Sequence, residues 1–349
     1  MNSTHETPEP NSLDDLRRSA EEWQGRALRA ESHLQKILES PSWKITKPFR
    51  LINLVYWRFA KVSAFEPKIG NRGMESKNGR SLLNEIESEI SFDRRSQISP
   101  NQPVAVIAQW SNTSKTTHSL IHLIDQLLMN SFQVVLVSST PKELKIDLAQ
   151  LSKKPLTVIR KPNFGYDFGS WAVALKVLPE LQNHELLFLN DSMYGPFSDL
   201  KEILTRARQS PFGITGLTDS QEVRYHVQSY FLHFKEGVIQ ECAMERFWNS
   251  IQHLDEHRDV VEQYEIDLTR TAQNAGIRVG SLYPWNMVVN YWENPTLVGW
   301  KELLNSKFPF LKRRIFRDDL APKTQDVLDQ VRANFYISPE LQEDIINRI

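Results

Sequence analysis

Five short runs of this chain combine carboxylates, amides, hydroxyls, glycines or cations at spacings that could do chemistry. The first is Arg160, Lys161, Pro162, Asn163, Phe164, Gly165, Tyr166, Asp167, Phe168, Gly169, Ser170, Trp171. Glycines two residues either side of Asp167 let a ligand approach the backbone closely. Asp167 could accept hydrogen bonds from a ribose, base or sugar hydroxyl, or it could cap the helix that follows. The second run is Leu187, Phe188, Leu189, Asn190, Asp191, Ser192, with a turn at Gly195 and Pro196. An apolar strand ending in Asn-Asp-Ser delivers hard oxygen ligands to a sheet edge. Mg²⁺ or Mn²⁺ needs such ligands and can share them with a departing nucleoside diphosphate, with Asp191 as the protein's metal ligand. An Asx-turn at a strand end is the alternative there.

The third run spans 212–231 and mixes aromatics with hydroxyls and amides. Sugars are bound that way, rings over C–H faces and polar groups on hydroxyls. Asp219, His226, Gln228 and Tyr230 are its candidates for holding an acceptor. His226 could also ligate a metal or be a structural histidine. The fourth run is Tyr264, Glu265, Ile266, Asp267, Leu268, Thr269, Arg270, with a glycine stop at Gly276. Glu265, or Asp267, could take the proton of an attacking hydroxyl. Acidic residues in a first helical turn also occur for dipole reasons alone. The fifth run, Lys312, Arg313, Arg314 and Arg317, could hold a diphosphate by charge-assisted bonds or be a solvated face.

Apolar runs at 104–109, 132–137, 156–159 and 186–189 suit buried strands. Residues 119–129 and 171–178 have helical patterning between them. Strands alternating with helices predict an α/β fold with a largely parallel sheet. Ligands then bind beyond the carboxyl ends of strands, where the first two runs lie.

The N-terminal part has a different texture. Residues 1–40 are expected to be a disordered tip and an amphipathic helix, with apolar or small residues in a heptad seam over 13–37. That seam could form a short coiled coil for homo- or hetero-oligomerisation, or pack on the main domain. Residues 41–65 follow. Trp43, Phe49, Tyr56, Trp57 and Phe59 interleave there with Lys44, Lys47, Arg50, Arg58 and Lys61, without an acidic residue. Over 43–62 this pattern suits contact with an anionic membrane surface, or docking on protein. Residues 66–102 are expected to be a linker, and 103–349 the catalytic domain.

Composition narrows the class. The 349 residues carry 42 Lys and Arg against 43 Asp and Glu, a net charge of −1. Balanced charge gives no whole-chain case for nucleic acid. The single cysteine, Cys242, fits a reducing compartment. No secretory signal and no stretch long and apolar enough to span a bilayer is evident. The expected location is cytoplasmic, peripheral at the inner face of the plasma membrane.

Taken together, the ordered motifs resemble one family. Arg-x-x-Asn-x-Gly-x-Asp-Phe-Gly-Ser-Trp comes first, then Leu-Asn-Asp-Ser-x-x-Gly-Pro. Gly-Leu-Thr-Asp-Ser and His-x-Gln-Ser-Tyr-Phe follow, then Tyr-Glu-Ile-Asp-Leu-Thr and Phe-Pro-Phe-Leu-Lys-Arg. This series, over roughly 103–315, is similar to the rhamnan synthesis protein F family. The resemblance implies a glycosyltransferase A-like fold and transfer of L-rhamnose, or a related sugar, from a dTDP-sugar to a lipid-linked bacterial surface polysaccharide. It implies a donor site at Asn163, Gly165, Asp167 and Gly169. Asn190, Asp191 and Ser192 would stand where that fold carries Asp-x-Asp, and Glu265 where inverting relatives carry the catalytic carboxylate. Asn-Asp-Ser offers one carboxylate instead of two, so Lys312 and Arg313 are the alternative to a metal for neutralising the leaving group. A rival expectation is a non-catalytic glycan- or nucleotide-binding subunit of an assembly complex.

Overall fold

The computed structural model describes residues 86–252, 260–290, 292–317 and 321–348. The seam at 13–37, the basic aromatic stretch at 43–62 and the first part of the expected linker lie outside the described residues. The described residues fall in one compact unit, Met74–Ile349.

The expected α/β sheet is present. Its strands are β1 (Ser91–Arg94), β2 (Val104–Gln109), β3 (Gln133–Ser138), β4 (Leu156–Arg160), β5 (Leu186–Asn190), β7 (Ile214–Ser220), β9 (Phe231–Phe234) and β10 (Val279–Tyr283). They lie in the order β1-β4-β3-β2-β5-β9-β7-β10, with β8 (His226–Val227) paired to β7. Strands β4, β3, β2 and β5 are parallel. Strand β9 runs antiparallel between β5 and β7, and β10 is parallel to β7. This is the α/β architecture with a largely parallel sheet that the alternation of apolar runs and helices predicts. Strand β1 lies inside the stretch expected to be linker, yet it pairs with β4, and Ile86 just before it is buried in the core.

Period-two packing explains the apolar runs. Val104, Val106 and Ala108 of β2 enter one core, and Ala105 and Ile107 enter the core on the other face. Phe188 and Leu189 of β5 divide the same way. Helix α1 (His118–Met129) covers the second face and α2 (Tyr166–Val177) the first. Thr117 caps α1 by accepting from the Leu120 amide. Helices α3 (Lys201–Gln209), α4 (Cys242–Asn249) and α5 (Ile266–Asn274) complete the layers.

A smaller third core gathers α6 (Trp300–Asn305), α7 (Thr324–Asn334) and α8 (Pro339–Asn347) around Tyr194, Phe197 and Leu311. It supports a two-strand ribbon in which β11 (Leu311–Lys312) pairs antiparallel with β6 (Met193–Tyr194). Asp344 of α8 takes the His118 and Ser119 amides at 3.1 and 2.6 Å. A carboxylate on the positive end of α1 thus ties the C-terminal helices to the sheet layer.

Candidate active site

Register alone assembles one edge of the sheet. Ser138 pairs with Arg160 and Gln109 with Ser138, while Asn190 lies beside Ala108. The start of β9 reaches the end of β5 through the Leu189–Phe231 pair, and Thr218 pairs with Tyr283. The carboxyl ends of six strands therefore meet the loops that carry the first four runs.

Asp167 lies in the first turn of α2, which begins five residues before the expected start at 171. Gly165 supplies the turn into it at φ 74° and Tyr166 follows at φ 50°. Gly169 is buried within the helix, where its amide donates to the Gly165 carbonyl at 2.6 Å. Both glycines serve the backbone of this turn. Asp167 is not an N-cap; its Oδ2 accepts from Asn190 Nδ2 at 2.7 Å. The other end of that amide, Asn190 Oδ1, accepts from the Ser192 amide and hydroxyl at 3.1 and 2.6 Å. An Asx-turn therefore exists, and the same asparagine orients Asp167.

Asp191 Oδ2 accepts from the Trp110 amide at 3.2 Å. Arg313 Nη1 donates to the Asp191 carbonyl at 2.8 Å, and the Arg313 amide to the Ser192 carbonyl at 3.0 Å. Burial pushes the Asp191 carboxyl up to about 7, against the pull of the Arg313 charge, with the Asp167 charge adding to the rise. Burial likewise raises Asp167 to about 6, opposed by the Asn190 hydrogen bond and reinforced by Glu265. Lys312 is pushed down from the usual lysine range by burial, while Glu265 and Asp167 hold it up. Its ammonium lies 5.9 Å from the Tyr230 ring centroid. The fifth run thus divides: Lys312 and Arg313 join the carboxylates through β11, whereas Arg314 is exposed.

Glu265 closes a π-helical turn, Val261–Glu265, that leads into α5. Its Oε1 accepts from the Ser229 amide at 2.5 Å. An aromatic cluster sets it opposite Asp167. Phe168 follows Asp167 and packs at 5.5 Å from Tyr264, which precedes Glu265. Trp248 stacks on Phe168 at 6.0 Å, and Trp171 donates to the Leu189 carbonyl at 3.1 Å. Such pairs contribute about 0.5–1.5 kcal/mol each beyond burial. They fix the carboxylates of two helices against the end of β5.

Asp267 is elsewhere. In the first turn of α5, it pairs with Arg270 at 3.0 Å. Burial raises its carboxyl while Arg270 and Arg224 lower it. Of the two expected bases, Glu265 is the one whose charge acts on Asp167 and Lys312.

The four residues expected to hold an acceptor are all buried. Asp219 Oδ1 accepts from the Trp285 amide at 2.7 Å. Gln228 Oε1 accepts from Thr218 at 2.6 Å, and its Nε2 donates to Asn294 at 3.2 Å. Tyr230 shares a 2.6 Å hydrogen bond with Thr218, and His226 Nδ1 lies 2.8 Å from the Arg224 carbonyl. Their polar atoms hold neighbouring segments in place instead of meeting solvent.

Sequence patterning missed one wall of the site. A cleft of about 260 Å³ is lined by Gln109, Trp110, Ser139, Asn163, Tyr166, Asp167 and Ser170. Trp110 is 50% exposed and Tyr166 39%, so both offer aromatic surface to a ligand. The signal was present: β2 also leaves the sheet through a polar-aromatic pair, Gln109-Trp110. Lys161 was also overlooked. It is buried, with its ammonium donating to the Pro162 and Phe164 carbonyls at 2.9 and 2.6 Å. Burial lowers it to about 7, against the Asp167 charge. It holds the loop that presents Asn163.

Residues 134–344 match the family model described as rhamnan synthesis protein F. An uncharacterized protein of Sinorhizobium fredii (strain NBRC 101917 / NGR234) is 30% identical over 182 residues, covering 50% of this chain. The match spans 47% of that protein, so the chain covers about half of its length. Virulence protein VirA of Vibrio anguillarum is 29% identical over 223 residues, 54% of this chain and 71% of its own. Among solved structures, one from Desulfovibrio desulfuricans G20, titled as a nucleotide-diphospho-sugar transferase, is 8% identical at a TM-score of 0.33. It covers 67% of this chain and 99% of that one. A likeness at that score bears on no step of mechanism.

Proposed function

Because the chain belongs to the rhamnan synthesis protein F family, we propose that it is a glycosyltransferase that moves L-rhamnose from dTDP-L-rhamnose to a lipid-linked surface polysaccharide. One observation carries this reading. Asp167, Asp191, Glu265, Lys312 and Arg313, from four separate stretches, converge at the carboxyl edge of the sheet beside an aromatic-walled cleft.

The nucleoside occupies that cleft, with Trp110 and Tyr166 against the base and Asn163 and Asp167 near the ribose or sugar hydroxyls. Lys312 and Arg313 receive the diphosphate. A dianion placed there would reverse the burial penalty on Lys312 and would gain charge-assisted bonds. Glu265 is the base. Ser229 fixes one of its oxygens, and a base needs only the other. It takes the acceptor hydroxyl proton as the new bond forms at the anomeric carbon and the bond to the diphosphate breaks on the opposite face, inverting the centre. Holding donor and acceptor in line contributes much of the acceleration.

Among the described residues, no cluster of three His, Cys, Asp or Glu could hold a metal. Asp191 is the residue that would hold Mg²⁺ or Mn²⁺ beside the diphosphate. Bound there, the ion would supply charge neutralisation to the leaving group, the task that Lys312 and Arg313 also serve. Membrane-surface contact through 43–62, oligomerisation through 13–37 and a cytoplasmic inner-face location belong to the same proposal. Among the described residues no helix is long and apolar enough to cross a membrane.

The test is nucleotide release from dTDP-, UDP- and GDP-sugars, with and without Mg²⁺ or Mn²⁺, plus rhamnose-terminated acceptors. Acceptor-stimulated dTDP release from dTDP-L-rhamnose is expected. No release from any donor, alongside saccharide or nucleotide binding, would replace the enzyme with a binding subunit.

A further inference from the structure

Two of the four buried residues of the third run point to a surface. Asp219 and Gln228 bind, through Trp285 and Asn294, the loop between β10 and α6. That loop is heavily cross-linked. Asn294 Nδ2 donates to Glu222 at 2.9 Å, while its Oδ1 accepts from the Thr296 amide at 3.1 Å and hydroxyl at 2.8 Å. The Asn290 amide donates to Glu293 at 2.9 Å. Gly299 closes the loop, since a Cβ there would come within 2.4 Å of Val288 and 2.7 Å of Val289.

Among the described residues of the loop, Met287, Trp292 and Val298 are 51%, 62% and 56% exposed. Trp292 has φ 74°, which a bulky side chain adopts only when its surroundings demand it. Exposed apolar side chains on a loop anchored by hydrogen bonds mark a contact surface. The loop leaves the carboxyl end of β10, which lies at the reacting edge of the sheet through the Thr218–Tyr283 pair. Glu222, the partner of Asn294, is among the charges that act on Lys312, together with Glu265 and Asp167.

We propose that this loop, with Trp292 at its exposed face, is the acceptor platform and takes a saccharide, the terminal sugars of the glycan that Glu265 deprotonates. The C–H face of a sugar ring suits an indole, and the neighbouring Glu293 carboxylate has further lone pairs to accept from hydroxyls. Asp219 and Gln228 are then positioning residues that act through Trp285 and Asn294. The inference rests on the glycosyltransferase reading for the origin of the saccharide.

The test uses the full chain, a rhamnose-terminated oligosaccharide, and whichever nucleotide sugar turns over. Acceptor KM and donor KM are measured separately, and saccharide binding is followed by saturation-transfer NMR without donor. Trp292→Ala is expected to raise acceptor KM about tenfold or more, the scale of one lost contact of about 1.4 kcal/mol. Donor KM should move much less, and Trp292→Phe should recover part of the loss. Met287→Ala should act in the same direction more weakly, and Tyr336→Ala, far along the chain and 92% exposed, is the control that leaves both constants unchanged. An acceptor KM and an NMR signal that Trp292→Ala leaves at wild-type values would overturn the platform while turnover still upheld the transferase. If no donor turns over, the transferase reading fails; NMR binding that Trp292→Ala abolishes would still uphold the platform, and binding that it preserves would overturn it.

Discussion

At the amino end of β5, Glu185 accepts from Arg208 Nε at 2.8 Å and lies 3.0 Å from His233 Nε2. At the carboxyl end of the same strand, Asp191 meets one backbone amide, with Arg313 on its carbonyl. The consequences are opposite. Glu185 is held below the usual carboxylate range; burial raises it, but the hydrogen bonds and charges of His233 and Arg208 together outweigh burial. Asp191 and Asp167 are raised to about 7 and about 6, because burial exceeds what their partners return. At one end the carboxylate is fully compensated by its partners. The other keeps Asp167, Asp191 and Lys312 in a state that a charged ligand would relieve. Under-compensated charge of this kind gathers where binding and catalysis occur.

The sharpest way to test that contrast is to neutralise Glu265. Glu265→Gln preserves an oxygen for the Ser229 amide but removes the base. Acceptor-dependent nucleotide release should fall about 10²–10⁴-fold, with an unchanged circular dichroism spectrum. Wild-type turnover in a folded variant would remove Glu265 from the mechanism.

Asp191→Asn should separate function from stability. Turnover is expected to fall about 10²-fold, as when an electrostatic group is taken from a transition-state site. Stability should change the other way. A carboxyl whose folded pKa is raised stabilises the fold fully below its unfolded value, 3.8, and loses that contribution as pH rises to about 7. Above pH 7 the variant is therefore expected to melt higher than wild type, and near pH 4 the difference should vanish. Thermal melts across pH 4–8 check this.

Glu185 should behave as the mirror image. Its depressed pKa means stability present above the ordinary glutamate value of 4.5 and lost as pH falls through the lower folded value. Glu185→Gln is expected to cost about 1–3 kcal/mol in urea unfolding at pH 7, because His233 is left buried beside Arg208 without an anion. Acceptor and donor KM should not change. A loss of activity without a loss of stability would erase the distinction between the two ends.

Asp267→Asn should do least. Its Arg270 partner is exposed, and such pairs contribute roughly 0.2–1 kcal/mol. Turnover should stay within about twofold of wild type if Glu265 alone is the base. A drop as large as that of Glu265→Gln would exchange the roles of the two carboxylates.

Much of the scaffold was legible because its causes are local. Leu186–Asn190 and Val104–Gln109 are apolar on both faces, and only a strand buried on both sides uses such a run. The apolar face of α1 and the stop at Gly276, with φ 79°, follow from helical period and left-handed backbone preference. The early start of α2 was not legible, since Gly165 and Gly169 suggest a loop until tertiary packing buries Phe168 and Trp171. In the third run, a polar surface composition concealed buried anchors: Asp219 and Gln228 find partners 66 residues further along the chain.

What the sequence by itself determined is the α/β alternation, the motif order that marks the family, and the rule that chemistry collects where strands end. All of these depend on neighbours within a few residues. Which carboxylate faces the charges, which half of the basic run joins them and which residues merely support a loop were decided by tertiary structure alone. Lys312 reaches Glu265 and Asp167 because the short β11 pairs with β6. Glu265 and Asp167 are set by an aromatic cluster drawn from several elements. Such pairings are stabilised only once distant segments meet, so no local pattern of residues announces them.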